Sequence, residues 1–296
     1  MNEAQGRELK SGGILTHSHG LSRARRRTSM HPPIVMSFAA TDPTGGAGLQ
    51  ADVMTIASLG CHPLSVATAI TVQDTHGVRM VHPLEARWIV EQARVVLDEM
   101  PVAAFKLGVL GSAENAAAIA ALLGEYPRRP LVLDPVLGSG RGDTLASSAT
   151  VDALLDRLFP LTTVLTPNSV EARRLAGAAP DADLAECAAR LIARGAAYVL
   201  ITGTHEADTD VVNTLYGSDG ARQAQRWERL AGSYHGSGCT LASAIAAQLA
   251  LGRTVLDAVL AAQDYTWRAL QAGFRPADGQ FLPWRFDVAR SRAVVP

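Results

Sequence analysis

The residues best suited to chemistry lie in one run, Tyr234-His235-Gly236-Ser237-Gly238-Cys239-Thr240. Two glycines bracketing a serine, with small residues following from Leu241 to Leu251, predict a turn that opens a helix. Backbone amides at such a helix start converge on an anion, and the helix dipole adds favourable potential there. Phosphate binding is the expected chemistry. Cys239 falls where the dipole is strongest, so its thiol is expected below the ordinary value of about 8.5, with a useful thiolate fraction near neutral pH. A base beside an anion cradle suggests phosphoryl transfer. Taken alone, the segment equally describes a helix start with a small buried cysteine, a common use of free cysteine.

The elements that must position this run alternate. Ile34–Phe38 is a short apolar strand that breaks into Thr41-Asp42-Pro43-Thr44-Gly45-Gly46-Ala47-Gly48, and Leu49, Val53, Ile56 and Leu59 then recur at helical spacing until Gly60. Leu64–Val72 reads as a buried strand and Val78–Val81 as a short one, with Pro83 opening a helix to about Asp98. Ala103–Gly108 and Leu131–Asp134 are strands around an alanine-rich helix that Ser112 caps. A helix over Ala149–Leu158, a strand at Val164-Leu165, helices after Asn168 and over Leu184–Arg194, and a strand at Tyr198–Ile201 follow. Asp210–Tyr216 and Arg222–Leu230 predict a hairpin, and helices from Thr240 and Thr254 close the fold. The tail from Phe274 keeps Phe281, Trp284 and Phe286, enough apolar surface to pack down. Strands alternating with helices predict an α/β fold, an open, mostly parallel sheet covered on both faces, with ligands beyond the carboxyl ends of the strands. The polar residues fall there: Asp42, Gln73-Asp74, Lys106-Leu107-Gly108, Asp134, Thr166-Pro167-Asn168 and Thr202-Gly203-Thr204-His205 each follow or end a strand.

Bulk properties narrow the classes. A chain of 296 residues, 48% hydrophobic and 19% charged, suits one sizeable core. A net charge of -1 gives no electrostatic case for nucleic acid or an anionic membrane surface, so small ligands fit better. Cys61, Cys187 and Cys239 lack disulfide or zinc spacing, which makes a reducing cytoplasm the expected location. The sequence has no apolar window of membrane-spanning length and no signal-peptide pattern. Residues 1–30, with Arg7, Lys10, Arg23, Arg25, Arg26 and Arg27 among Ser, Gly and His, are expected to form a disordered basic extension. Met30 is the better start, and 31–296 the folded domain.

Neither a P-loop nor a placed GxGxxG is present. The pair Thr41-Asp42-Pro43-Thr44-Gly45-Gly46-Ala47-Gly48-Leu49-Gln50-Ala51-Asp52 and His235-Gly236-Ser237-Gly238-Cys239-Thr240 resembles the hydroxymethylpyrimidine/phosphomethylpyrimidine kinases of thiamine biosynthesis, in the ribokinase-like superfamily. Thr71-Val72-Gln73-Asp74-Thr75, Lys106-Leu107-Gly108, Leu133-Asp134-Pro135-Val136 and Thr166-Pro167-Asn168-Ser169-Val170-Glu171 lie between them in the same order, and the resemblance runs over about residues 33–270. It implies transfer of the ATP γ-phosphate to the hydroxymethyl group of the pyrimidine and then to the monophosphate. Cys239 is similar to the family's catalytic base, with Gly236, Ser237 and Gly238 stabilising the transferring group. Asp42, Ala47, Gln73, Val109 and Val136 match the substrate positions; a carboxamide at Gln73 offers both a donor and an acceptor to an aminopyrimidine edge. Asp134, Asn168, Glu171 and Thr202 match the nucleotide side, where Asp134 and Glu171 serve Mg²⁺, directly or through water. A homodimer is implied as well.

Alternatives stay open at several positions. Asn168 and Glu171 have capping-box spacing, Asp42 suits an Asx turn before Pro43, and Gln73 suits a solvated strand end. The chain also departs from the family pattern. Thr202-Gly203-Thr204-His205 replaces lysine-glycine-glycine-histidine, Ala40 replaces glycine, Val109 replaces a frequent methionine, and Gly279-Gln280-Phe281-Leu282-Pro283-Trp284 replaces a glycine/histidine-rich end. A pyridoxal kinase of the same fold and a pyrimidine-binding protein without turnover are the competing functions.

Overall fold

Ile34–Ala40 (β1) is buried over its whole length, as an apolar run without helical spacing must be when it lies inside a sheet. The computed structural model describes residues 31–138, 145–218, 220 and 222–286, so the expected disordered basic extension over 1–30 lies outside the described residues. After β1 come α1 (Gly48–Ser58), β2 (His62–Gln73), β3 (Val78–Pro83), α2 (Ala86–Leu97), β4 (Val102–Leu107), α3 (Ala113–Leu123) and β5 (Leu131–Leu133). Then follow α4 (Ser148–Ala153), β6 (Val164–Leu165), α5 (Ser169–Leu175), α6 (Leu184–Ala193), β7 (Tyr198–Ile201), β8 (Asp210–Gly217), β9 (Arg222–Glu228), α7 (Ser237–Ala250) and α8 (Val255–Gln271).

The strands form one sheet of nine in the order β3-β2-β1-β4-β5-β6-β7-β8-β9. The run from β2 to β7 pairs in parallel. β3 adds antiparallel at one edge, and β8 and β9 at the other. Strand order reverses at β1, which has β2 on one side and β4 on the other, so a crevice opens beyond the carboxyl ends of β1 and β4. Alternating side chains feed two cores: Met36, Phe38, Phe105 and Leu133 pack under α2, α3, α5 and α6, while Val35, Ala104, Val132 and Leu200 pack under α1, α7 and α8. α7 is buried on nearly every side, which its alanines permit by letting the backbone approach the sheet closely.

Three boundaries differ from expectation. Pro83 does not open a helix; it ends edge strand β3 opposite Ala69, where a missing N–H is tolerated, and α2 starts at Ala86. The helix expected over Ala149–Leu158 is α-helical only to Ala153, then widens into a π turn over Leu154–Leu158 and tightens into a 3₁₀ turn over Phe159–Leu161, which contains Pro160. α7 starts at Ser237 rather than Thr240, because Gly236 takes φ 78° and turns the chain before the serine. The C-terminal segment packs down: Phe281 lies against Tyr234 at 5.4 Å, and Phe274 pairs with Leu282.

Candidate active site

The loop after β1 wraps around the carboxylate of Asp42. Its oxygens accept the Thr44 amide at 2.9 Å, the Thr44 hydroxyl at 2.9 Å and the Ala47 amide at 2.6 Å, while its own N–H donates to Gln50 Oε1 at 2.8 Å. This is the Asx turn of the sequence alternative, closed further by His235 Nε2 at 2.8 Å from Oδ2. Burial pushes the Asp42 carboxyl upward, but hydrogen bonds from His235 and Gln73, the field of His235 and the Thr44 amide hold it well below the usual carboxylate range. Gly48, at φ 58°, closes the loop; a Cβ there would stand 2.4 Å from the Ala40 carbonyl.

Against this loop sits the start of α7. Among the described residues no side chain caps that end, so the first-turn amides of Ser237, Gly238 and Cys239 are left to the cavity they line. Asp134, one residue past β5, is buried beside it, its carboxylate oxygens 3.6 and 3.9 Å from where a Cβ on Gly238 would lie. Among the described residues Asp134 Oδ2 has no hydrogen-bond partner. Burial lifts this carboxyl to about 7; the field of Lys106 opposes the rise, and those of Glu171 and Asp52 add to it.

Lys106, at the end of β4, is fully buried and ion-paired with Asp52 of α1, Nζ lying 2.9 and 2.8 Å from the two oxygens. Ser37 and Ser243 donate to the same carboxylate at 2.6 and 2.7 Å. Burial alone would lower the Lys106 pKa, yet the fields of Asp52, Cys239 and Asp134 raise it above the ordinary value, so it is a fixed cation. The Cys239 thiol corrects the sequence expectation. Burial pushes it up to about 11, opposed by Lys106 and an amide contact from Gly48 and reinforced by the fields of Asp134 and Asp52. Loss of water outweighs the helix start even though the half-buried side chain lines the cavity, because a thiolate here exchanges much of its hydration for partial charges.

The nucleotide-side expectations resolve differently. Asn168 caps α5 and Glu171 reciprocates, with Glu171 N donating to Asn168 Oδ1 at 2.9 Å and Asn168 N to Glu171 Oε2 at 3.0 Å. The second Glu171 oxygen takes the Leu137 amide at 3.0 Å. The capping reading thus holds, with Glu171 set beside the cavity at the same time. Thr202 bridges Asn168 through backbone, its N–H donating to Pro167 O and its carbonyl accepting from Ser169 N, both at 3.0 Å. Where the family pattern has a lysine, a different cation serves the loop: Arg229 donates to the carbonyls of Thr204, Glu206 and Asp208.

One cavity of about 740 Å³ gathers every site residue the sequence nominated: Asp42, Ala47, Gln73, Val109, Val136, Asp134, Asn168, Glu171, Thr202, Gly236, Ser237, Gly238 and Cys239. Gln73 Nε2 comes 3.5 Å from His235 Nε2, so it is not merely solvated. The sequence reading missed the Lys106–Asp52 pair and the role of His235. A signal for the pair existed, since Lys106 interrupts an apolar strand and Asp52 shares the helical face of Leu49 and Ile56. Among the described residues no group of three or more His, Cys, Asp or Glu side chains is arranged to hold a metal ion.

A switch-point crevice with an uncapped glycine-rich helix start, a buried carboxylate aimed at it and a thiol beside it defines a ribokinase-like α/β kinase. Comparison with known proteins refines that class. The family model described as phosphomethylpyrimidine kinase matches residues 42–283, and the chain belongs to this family. It is 42% identical over 256 residues to the hydroxymethylpyrimidine/phosphomethylpyrimidine kinase of Streptomyces coelicolor, covering 85% of this chain and 93% of that one. The phosphomethylpyrimidine kinase of Clostridium difficile superposes with TM-score 0.70 at 32% identity, covering 79% of this chain and 97% of that one. The pyridoxal kinase of Staphylococcus aureus bound to AMP-PCP superposes with TM-score 0.80 at 26% identity, covering 88% and 95%. No helix among the described residues is long and apolar enough to cross a membrane.

Proposed function

We propose that this chain transfers the γ-phosphate of ATP to the hydroxymethyl group of 4-amino-5-hydroxymethyl-2-methylpyrimidine and then to its monophosphate, in thiamine diphosphate biosynthesis. The observation that carries this reading is the abutment of the Asp42–Gly48 loop on the uncapped start of α7, which sets a small-molecule pocket against an anion cradle. Ala47, Gln73, Val109 and Val136 would enclose the ring, Gln73 offering a donor and an acceptor to the aminopyrimidine edge. The acceptor oxygen attacks the γ-phosphorus, its proton passes to Cys239 Sγ as the new P–O bond forms, and the bond to the leaving ADP breaks. Because the resting thiol titrates near 11, the competent thiolate is a minority species at neutral pH. The amides of Ser237, Gly238 and Cys239 receive the charge on the transferring group, as helix-start amides do.

Mg²⁺ fits the donor set. Asp134 brings a buried oxygen without a partner among the described residues, and the ion favours one or two carboxylates completed by phosphate oxygens and waters. Glu171, with both oxygens on backbone amides, would act through water. The ion would supply neutralisation of phosphate charge; Asn168, Glu171 and Thr202 would shape the nucleotide side. The kinase domain is taken to begin at about residue 31, consistent with one compact unit from Pro32. A homodimer and a cytoplasmic location belong to the same reading, the first supported by exposed Ile70, Val72, Met80 and Trp88 and the second by three free cysteines.

Pyridoxal is the competing acceptor, since a pyridoxal kinase shares the fold. A coupled ADP-release assay with hydroxymethylpyrimidine, its monophosphate and pyridoxal, on the wild type and Cys239→Ala, separates the readings. Turnover of both pyrimidines that collapses in Cys239→Ala supports the proposal. Turnover of pyridoxal alone replaces the substrate, full activity in Cys239→Ala removes the base, and ligand binding without ADP release makes the chain a binding protein.

A further inference from the structure

The C-terminal segment packs one charged side chain against the loop after β1 and the start of α7, behind the residues that line the cavity. Arg285 is 2% exposed. Its Nη2 donates to the Gly46 carbonyl, its Nη1 to the Gly45 carbonyl at 3.4 Å and its Nε to Thr240 Oγ1 at 3.0 Å. The Thr240 hydroxyl passes the connection on, donating at 2.8 Å to the carbonyl of Gly236, the residue that immediately precedes α7. The arginine is anchored in turn: Tyr265 Oη lies 2.7 Å from the Arg285 carbonyl and 2.6 Å from Ser58 Oγ.

The opposite ends of the same two peptide groups are also held. In the Gly46–Ala47 peptide, the oxygen faces Arg285 and the Ala47 N–H donates to Asp42 Oδ2 at 2.6 Å. In the Gly45–Gly46 peptide, the oxygen faces Arg285 and the Gly46 N–H donates to Thr44 Oγ1 at 3.1 Å. Trans peptide planes point their oxygen and N–H in opposite directions, so a cation on one side and an anionic turn on the other fix each plane's rotation. A buried guanidinium has five donors in a rigid fork, which suits several acceptors at once in a way an ammonium cannot match.

We propose that Arg285 is a positioning residue for phosphoryl transfer, a latch that ties the Gly45–Gly46 carbonyls of the acceptor loop to Thr240 at the start of α7 and so keeps the acceptor and the anion cradle at one spacing. The inference rests on the pyrimidine kinase reading for its kinetic consequence, but the latch itself is a property of the fold. Arg285 touches no reacting atom; it acts through Gly46, Ala47 and Thr240.

The test compares the wild type with Arg285→Met and Arg285→Lys. In Arg285→Met, kcat/KM for hydroxymethylpyrimidine should fall at least about 30-fold, with a raised pyrimidine KM and an ATP KM within about twofold of wild type, and Arg285→Lys should recover part of the loss. Hydrogen–deuterium exchange on the same proteins without substrate should show faster exchange in the peptides covering Gly45–Gly48 and Ser237–Thr240 and no change in those covering α3 and α6. Wild-type kinetics in Arg285→Met, or both KM values rising in parallel with no recovery in Arg285→Lys, overturns the proposal, as does unchanged exchange in the two segments. Should Arg285→Met fail to fold, Arg285→Lys, which keeps the charge without the fork, supplies the same readouts. A wild type that phosphorylates no pyrimidine sinks the function instead, and the exchange data still decide the latch.

Discussion

The carbonyl oxygen of Gly46 stands 1.9 Å from where a Cβ on Gly236 would lie, so two glycines far apart in sequence share one space. Gly236 also needs φ 78°, and Gly46 could carry no side chain without meeting His235 and Leu282. The acceptor loop and the anion cradle are therefore packed backbone to backbone.

Gly236→Ala should cut kcat/KM by about 100-fold or more, since a displacement near 1 Å at a reacting centre has that effect. Gly252→Ala is the control, with a similar φ of 82° but open space around it; it should cost only about 1–2 kcal/mol of stability and leave turnover intact. Steady-state kinetics and urea unfolding on both variants check the contrast. Equal activity in the two would show that the close approach is immaterial.

The pH dependence of Cys239 follows from a thiol lifted to about 11. In a Cys61→Ala/Cys187→Ala background, iodoacetamide labelling should accelerate about tenfold per pH unit from roughly pH 7 to 9, because only the thiolate reacts. The pH profile of kcat/KM should climb over the same range. A labelling rate already level at pH 8 would mean that the helix start dominates after all.

Asp134→Asn should separate stability from function. A carboxyl raised from 3.8 to about 7 in the folded state holds its proton there while the unfolded chain has already lost it, so stability falls as pH rises between those values and stays low above them. Removing the charge should thus stabilise the protein at pH 8 by on the order of 1–3 kcal/mol, with the gain shrinking toward pH 4. Phosphoryl transfer should be lost. Thermal unfolding across pH tests this, and a variant less stable than wild type at pH 8 contradicts it.

Lys106→Met leaves Asp52 buried without its cation and should destabilise by about 3–5 kcal/mol. Lys106→Met combined with Asp52→Asn should recover much of that loss, since the buried charge is gone, the amide oxygen still accepts from one of Ser37 and Ser243, and the amide nitrogen donates to the hydroxyl oxygen of the other. Denaturant titrations of the two single variants and the double one measure the coupling; strict additivity would show that the pair does not act as a unit.

The alternation of strands and helices and the polar residues at strand ends were legible in the sequence because both follow from local periodicity and turn chemistry. Asn168 and Glu171 were legible as a capping box for the same reason. Lys106 with Asp52, and Arg285 with Gly46, were not, since each pairing exists only after β4, α1 and the C-terminal segment have packed. Cys239 was read from its helix start alone, a local cue; its actual environment is set by partial burial and by Lys106, Asp134, Asp52 and Gly48, which only the packed fold brings beside it. The Pro83 boundary failed similarly, as proline suits both a first helical turn and a sheet edge, and only the neighbouring strand decides.

The meeting of Gly46 with Gly236 has a consequence for synthesis on the ribosome. One half of the site emerges just after β1, and the other only with α7, after the eight intervening strands. A nascent chain arrested anywhere between them holds a glycine loop with no cradle to face. A fragment released between β1 and α7 lacks half of the surface that the site requires.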